Sequence, residues 1–333
     1  MRRSRSARLL PLAALLGLAF VFWPWLGGSP YVVNLVTGGV IWAIFAVSYD
    51  LVLGWTGEIS FGHALWFGAG VYGVALLVQA THWDTLLALL VVAVATVPVA
   101  FVVHLVSLRL RGAYFAMITF AVAEFAYLIV QNATSITGGT NGLTGILLSP
   151  YLLQPNILYA IPAALLVMFV LGLRAVGRSR TGRIVHAVRD NPTRAALFGH
   201  NEVLVKGVTL AAASALAAVA GGLYLAYQGM AFPDAMNSNT SFTVLLMAVI
   251  GGADSIWGPA VAGIGLYLLE NSLTATTAHW SLWLGVVYVL VVRFLPLGLG
   301  GLRSDRLWPW RTAPAILQGG DAVAADQDKG DRG

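Results

Sequence analysis

No cysteine occurs among the 333 residues, and only 10% of them are charged. The first absence excludes disulfides, thiolate metal sites and cysteine nucleophiles. The second excludes a water-soluble globule, because 14 acidic and 19 basic side chains cannot cover the surface of a chain this long. Signatures of hydrolysis are missing as well. There is no GxSxG, HExxH or Walker A run, so the chain shows no means of splitting a nucleotide itself. The histidines His63, His82, His104, His186, His200 and His279 are scattered without metal-ligand spacing, which predicts no metal site. No basic groove with interleaved stacking aromatics is present, which argues against nucleic acid.

What fills the chain instead is apolar: 58% of residues are hydrophobic and the mean hydropathy is +0.80. Runs of about 20 such residues, long enough to cross a hydrocarbon core about 30 Å thick, recur between short polar breaks. They are continuous and rich in Leu, Ala, Val and Gly, which favours helices over a barrel with its two-residue alternation. The expectation is an all-α polytopic membrane protein with about ten spans, some broken or re-entrant. Candidate spans cover 9–26, 31–53, 60–80, 85–107, 113–130, 157–175, 207–228, 240–252, 256–275 and 280–297. The eighth is short, as a broken segment buried by its neighbours would be. The first follows MRRSRSAR and reads as an uncleaved anchor, since no small-residue cleavage site precedes Trp23, Pro24 and Trp25. A single transmembrane domain is expected over 1–311. The Ala-, Asp-, Gln- and Gly-rich stretch 312–333 reads as a disordered cytoplasmic tail.

Basic residues orient the spans, because Lys and Arg near span ends stay on the side that does not translocate. With a cytoplasmic N-terminus, all 19 fall within or at the edges of 1–8, 54–59, 108–112, 174–206, 253–255 and 293–333. The opposite loops carry Asp84 and Asp234. Both termini are therefore expected in the cytoplasm, and the net charge of +5 is an orientation signal.

Four segments stand out from the apolar background. LGWTGEISFGHALWFGAGVYG, residues 53–73, interrupts the second and third spans with glycines and carries Glu58 and His63. Such groups are costly in a membrane unless paired, solvated or facing a cavity. Two readings stand: a discontinuous helix lining a substrate path through Gly57, Glu58, Ser60, Phe61, Gly62 and His63, or a tight cytoplasmic turn with Glu58 in water. IGGADSIWGPAVAGIGLYLLEN, residues 250–271, echoes it, with Gly252, Ser255 and Gly258 set against Gly57, Ser60 and Gly62. This echo is either an internal repeat or chance likeness between Gly-rich membrane sequences. The external SITGGTNGLTGI, residues 135–146, offers Gly139, Thr140 and Asn141 to a small polar solute or a docking protein, or forms a solvated turn. Glu124, on a face with Met117, Ala121 and Leu128, is expected to face a pore or to pair within the bundle.

The fourth segment, TGRIVHAVRDNPTRAALFGHN at 181–201, is polar and lies within the cytoplasmic stretch. Asn191 is a good N-cap, Pro192 suits the first helical position and Gly199 the residue past the end, which predicts a helix over 192–198. Before it, Ile184, Val185 and Val188 form a stripe beside Arg183 and Arg189, typical of a surface amphipathic helix. Ala195, Ala196, Leu197 and Phe198 would present a small apolar patch. It is a surface helix on anionic lipid or a peg for a soluble partner.

These residues carry a resemblance. Arg189, Asp190, Asn191, Ala195, Ala196 and Gly199 resemble the cytoplasmic coupling loop of the branched-chain amino acid ABC transporter permeases, the hydrophobic amino acid uptake family. The Gly-x-x-Gly-x-x-Ser-x-Gly-His run from Gly54 to His63, the SITGGTNGL segment and the GGADSIWGP segment are similar to that family's, and the likeness spans about 35 to 300. It is greatest to the M-type subunit. Phe61 stands where Leu is common, Glu58 where Gln is common, and Trp66 is unusually bulky. The resemblance implies a permease paired with a second, H-type subunit in the inner membrane of a bacterium or archaeon. Two cytoplasmic ATPase subunits would bind the ATP and Mg, a periplasmic or surface-tethered binding protein would deliver the solute, and this chain would hold no cofactor. Arg189, Asn191, Ala195, Ala196 and Gly199 are the residues it implies for transmitting ATPase motion. Branched-chain amino acids are the family default, with amides, urea and small carboxylates among relatives. The alternatives are an ion-coupled secondary transporter, which would usually place several ionisable groups at mid-membrane, and a membrane enzyme or structural subunit.

Overall fold

A computed structural model describes residues 19–26, 29–253, 255–276, 279–294 and 298–301. These belong to one compact unit. The expected tail at 312–333, most of the first span and Asp254 lie outside the described residues.

The structure is helical, and among the described residues the only β pairing is an isolated bridge between Leu143 and Ala231. Helix α1, Pro30–Asp50, starts on the Ser29 cap and on Pro30, whose missing N–H would have had no partner. It continues as a π-helical turn, Leu51–Thr56, which Gly57 ends by adopting φ +74°. After an irregular stretch come α2, Ala64–Thr81, and α3, Thr85–Ser107. Helix α4, Ala113–Asn132, and α5, Pro155–Arg178, follow. Two short polar helices, α6 Arg180–Asp190 and α7 Pro192–Leu197, precede the long α8, Glu202–Gln228. Helices α9, Ser238–Gly251, α10, Trp257–Thr276, and α11, Trp280–Phe294, complete the order.

Among the described residues, six helices are long and apolar enough to cross a membrane: α1 with its π turn, α2, α3, α4, α5 and α8. Helix α9 has 14 residues, as the short eighth span suggested, and α10 and α11 fall on the ninth and tenth. The described chain is thus a polytopic helical membrane protein. Helix α8 sits at the centre against α1, α2 and α3, while α10 packs on α1 and α9. In lipid the hydrophobic effect does not drive helix pairing, so close packing must. At Gly70 of α2, a Cβ would come within 2.0 Å of the Ala218 carbonyl oxygen of α8, so only glycine allows this approach.

At the end of the bundle away from α6 and α7, Asp84 caps α3, accepting from the Leu86 amide at 2.9 Å. The Tyr151 and Ser149 hydroxyls donate to the same carboxylate at 2.8 Å. Desolvation is the largest single influence and pushes the carboxyl up, but these hydroxyls and the α3 amides together outweigh it and hold Asp84 below the usual carboxylate range.

Candidate functional site

The polar residues of the first break are buried. Glu58, Ser60 and His63 are each no more than 9% exposed. Non-helical backbone at such a place needs partners from the protein, and α1 supplies them. The Tyr49 hydroxyl donates to Ser60 O at 2.7 Å and accepts from Ser60 N at 3.2 Å, so one side chain satisfies both backbone groups. Ser48 Oγ gives its proton to Phe45 O at 2.7 Å and lies 2.9 Å from His63 Nε2, which must then be the donor. Phe45 stacks on the His63 ring at 5.5 Å. Ser241 Oγ of α9 accepts from Ala64 N at 3.0 Å and so caps α2. Gly62 packs on α4, where a Cβ would lie 2.1 Å from Thr119 O. Phe61 is half-buried against Phe242, ring centroids 5.1 Å apart.

The expectation of Glu58 in water does not hold: Lys206 Nζ of α8 donates to its carboxylate at 2.7 Å, and both side chains are 11% exposed. Lys206 also pairs with Glu202 at 2.9 Å, and Glu202 with the exposed Arg111 at 2.9 Å. The four charges run from the surface inward and tie α8 to the break. A carboxylate so placed would be too costly without its cation. Along the sequence Lys206 serves only to orient the spans, because its partner lies 148 residues away.

The polar insert docks on the same break. The Arg189 guanidinium of α6 donates to Gly54 O in the π turn. Val185 is buried in one cluster with Leu51, Val52 and Trp55, Val188 is fully buried as well, and His186 lies 5.5 Å from the Trp55 ring. The apolar stripe of α6 therefore faces protein, where a lipid surface was one of the two expectations. Helix α7 has the foreseen caps: Asn191 Oδ1 accepts from Arg194 N at 2.8 Å, Pro192 is the first residue, and Gly199 has φ +80°. Its exposed patch differs from the expected one. Ala195 is buried at 4% exposure, whereas Leu197 and Phe198 are 84% and 80% exposed beside exposed Ala196. The two turns place the alanine against α6 and the larger side chains outward. A groove of about 420 Å³ runs along α6 and α7, lined by Arg180, Arg183, Arg194, Ile184 and Phe198 among others.

The second break follows the first in outline. Helix α9 ends at Gly251, Gly252 takes φ +93°, and α10 begins at Trp257 after Ser255, whose Oγ is buried with no hydrogen-bond partner among the described residues. In the loop over 135–146 Gly139 is buried, while Thr140 and Asn141 are exposed. Leu143 exchanges backbone bonds of 2.8 and 2.9 Å with Ala231, which fastens this loop to the α8–α9 connection. Glu124 is half-buried, and Met117 and Leu128 on its face are 66% and 48% exposed, so that face of α4 looks away from the packed interior of this chain.

A cavity of about 300 Å³ opens at the end opposite the insert. Trp42 of α1, Phe67 and Val71 of α2, Tyr224 and Gln228 of α8, the following loop with Asp234, and Thr240 of α9 line it. None of the sequence-nominated path residues is among them. A contact route joins the two regions, since Phe45 packs on Phe67 at 4.5 Å above the pocket floor and on His63 in the break. Nothing local marked these aromatics, which are spread over nearly 200 residues.

Residues 31–295 match the family described as the permease component of the branched-chain amino acid transport system. The chain belongs to that family. It is similar to the high-affinity branched-chain amino acid transport system permease protein LivM of Escherichia coli K12, at 27% identity over 86% of this chain and 74% of that protein. A probable branched-chain amino acid transport permease protein LivM of Methanocaldococcus jannaschii is 24% identical over 77% of this chain and 71% of its own. LivH of Escherichia coli K12 is 26% identical over 80% of this chain and 94% of its own. Escherichia coli LivM covers more of this chain than LivH does, 86% against 80%, which agrees with the M-type resemblance. No solved structure matches. The family assignment makes the chain a transport permease and gives the buried breaks and the docked insert a functional setting.

Proposed function

We propose that this permease forms, with an H-type permease subunit, the membrane pathway of an ATP-driven importer for branched-chain or other small apolar amino acids. A binding protein outside the membrane delivers the solute, and two cytoplasmic ATPase subunits hold the ATP and Mg and supply the work. The chain crosses the inner membrane of a bacterium or archaeon about ten times with both termini inside, on the strength of its basic-residue distribution.

The observation that carries the coupling role is the seat of α6 on the π turn, through Arg189 to Gly54 O and through Val185 to Leu51, Val52 and Trp55. A push on α7 reaches the backbone that immediately precedes Gly57. That turn is the element both ends must bias: Lys206 and Tyr49 hold its far side, and Phe45 leads from it to the outer pocket. Leu197 and Phe198 supply the apolar contact with the ATPase, ringed by Arg180, Arg183 and Arg194, which suit an acidic rim.

The test is reconstitution with both ATPases and the binding protein. Leucine-loaded binding protein should stimulate ATP hydrolysis, and uptake should continue after ion gradients are collapsed. Uptake that follows the gradients and ignores ATP would mean an ion-coupled carrier. The double variant Leu197→Asp with Phe198→Asp should insert normally and lose ATPase co-purification; retained ATPases would overturn this docking assignment.

A further inference from the structure

We propose that the outer pocket is itself a solute site, built for a free α-amino acid with an apolar side chain: Asp234 takes the ammonium, Tyr224 the carboxylate, and Trp42, Phe67 and Val71 the side chain. This rests on the uptake function proposed above and locates the solute within this one subunit.

The lining supports that division. Trp42 and Phe67 stand 6.0 Å apart, and Phe67 and Tyr224 5.4 Å apart, which makes one aromatic wall with buried Val71. A volume of about 300 Å³ is small for a ligand cavity and suits one amino acid. Asp234 is the sole formal charge on the lining, stays accessible at the mouth, and makes no ion pair among the described residues. An uncompensated carboxylate beside aromatic faces attracts an ammonium twice over, by charge and through the ring quadrupoles.

The groups that would meet the carboxylate are placed by other bonds. Gln228 Nε2 donates to the Tyr224 hydroxyl at 2.9 Å, which leaves the tyrosine proton for an acceptor in the pocket. Thr240 Oγ1 donates to Asp234 O at 3.1 Å and Ala231 is bridged to Leu143, so the loop carrying Asp234 is pinned at both sides. Met230 and Phe232, 36% and 40% exposed, form the rim. Amides and urea lack the ammonium that Asp234 would recognise, which narrows the solute class toward zwitterions.

The natural absence of cysteine gives a clean probe. A Met230→Cys variant, assembled in the complete transporter in proteoliposomes, is exposed to an impermeant thiol reagent and its labelling read by mass on this subunit. L-leucine should slow labelling, and 4-methylpentanoate, which keeps the carboxylate and the side chain but lacks the ammonium, should not. Adding Asp234→Asn should raise the leucine concentration for half-protection by about tenfold or more, as removal of a charged hydrogen-bonding partner does; Asp234→Glu should restore much of it. Equal protection by 4-methylpentanoate, or unchanged protection with Asp234→Asn, would overturn the proposal. So would absent protection in a complex that takes up leucine, a result that leaves the uptake function standing. A complex that takes up no leucine overturns the uptake function instead, and the protection assay then decides the pocket separately.

Discussion

The two ends of this bundle are held by different chemistry. At the end bearing the insert, formal charges interlock: Arg111, Glu202, Lys206 and Glu58 form one chain, and Arg189 reaches the π turn. At the other end uncharged donors dominate, with Ser149 and Tyr151 on Asp84, a single β bridge, and an aromatic pocket with one carboxylate. Charged bonds in a dry setting are stiff and costly to break, which fits the proposed transmission of force at this end. Neutral bonds on exposed loops open at little cost, which fits the proposed entry of solute at the other.

That contrast can be broken most severely at Lys206. Lys206→Met strands the Glu58 carboxylate and should destabilise the fold by about 3–5 kcal/mol, and adding Glu58→Gln should recover part of the loss. Unfolding midpoints of the two single variants and the double variant in detergent check this, and simple additivity would show that the pair does not act as a unit. Next in size, Gly62→Ala forces the break away from Thr119 O and should cost about 1–3 kcal/mol in the same assay.

At the uncharged end the effects are smaller. Asp84→Ala removes a helix cap and should cost about 1 kcal/mol. Because the folded-state carboxyl titrates below its ordinary value, its contribution is present in full above about pH 4 and lost as pH falls through the folded value. The variant should therefore show a flatter acid limb in a plot of stability against pH. An unchanged limb would mean that the Tyr151 and Ser149 bonds contribute nothing. Least of all, Arg111→Gln at the exposed margin of the charge chain should cost about 0.2–1 kcal/mol, and the loss should vanish in high salt.

Much of this was legible along the chain. Asn191, Pro192 and Gly199 delimit a helix through capping and backbone geometry, which depend on immediate neighbours, and the structure ends it one residue early at Leu197. Gly57 and Gly252 mark the two breaks for the same reason. Glu58 is marked as costly by its apolar surroundings in the sequence, yet nothing near it in the chain shows its neutralising partner. At Glu124 a lone carboxylate in an apolar run says that it is expensive and not where it points. Ala195 turns inward against expectation, since in a helix of two turns the inward face is chosen by what lies beneath it.

By itself the sequence determined a membrane protein of apolar helices, the places where those helices break, and a polar insert with its own caps. These follow from composition and from contacts a few residues apart, which a bilayer and a backbone enforce in any packing. Only the tertiary structure decided that Lys206 neutralises Glu58, that α6 sits on the π turn, that Leu197 and Phe198 face outward, and that aromatics from α1, α2 and α8 close a pocket with Asp234. Each depends on how a helix is rotated and paired. Helices that are apolar on every side, as most of these must be in lipid, carry no stripe that tells which side is in.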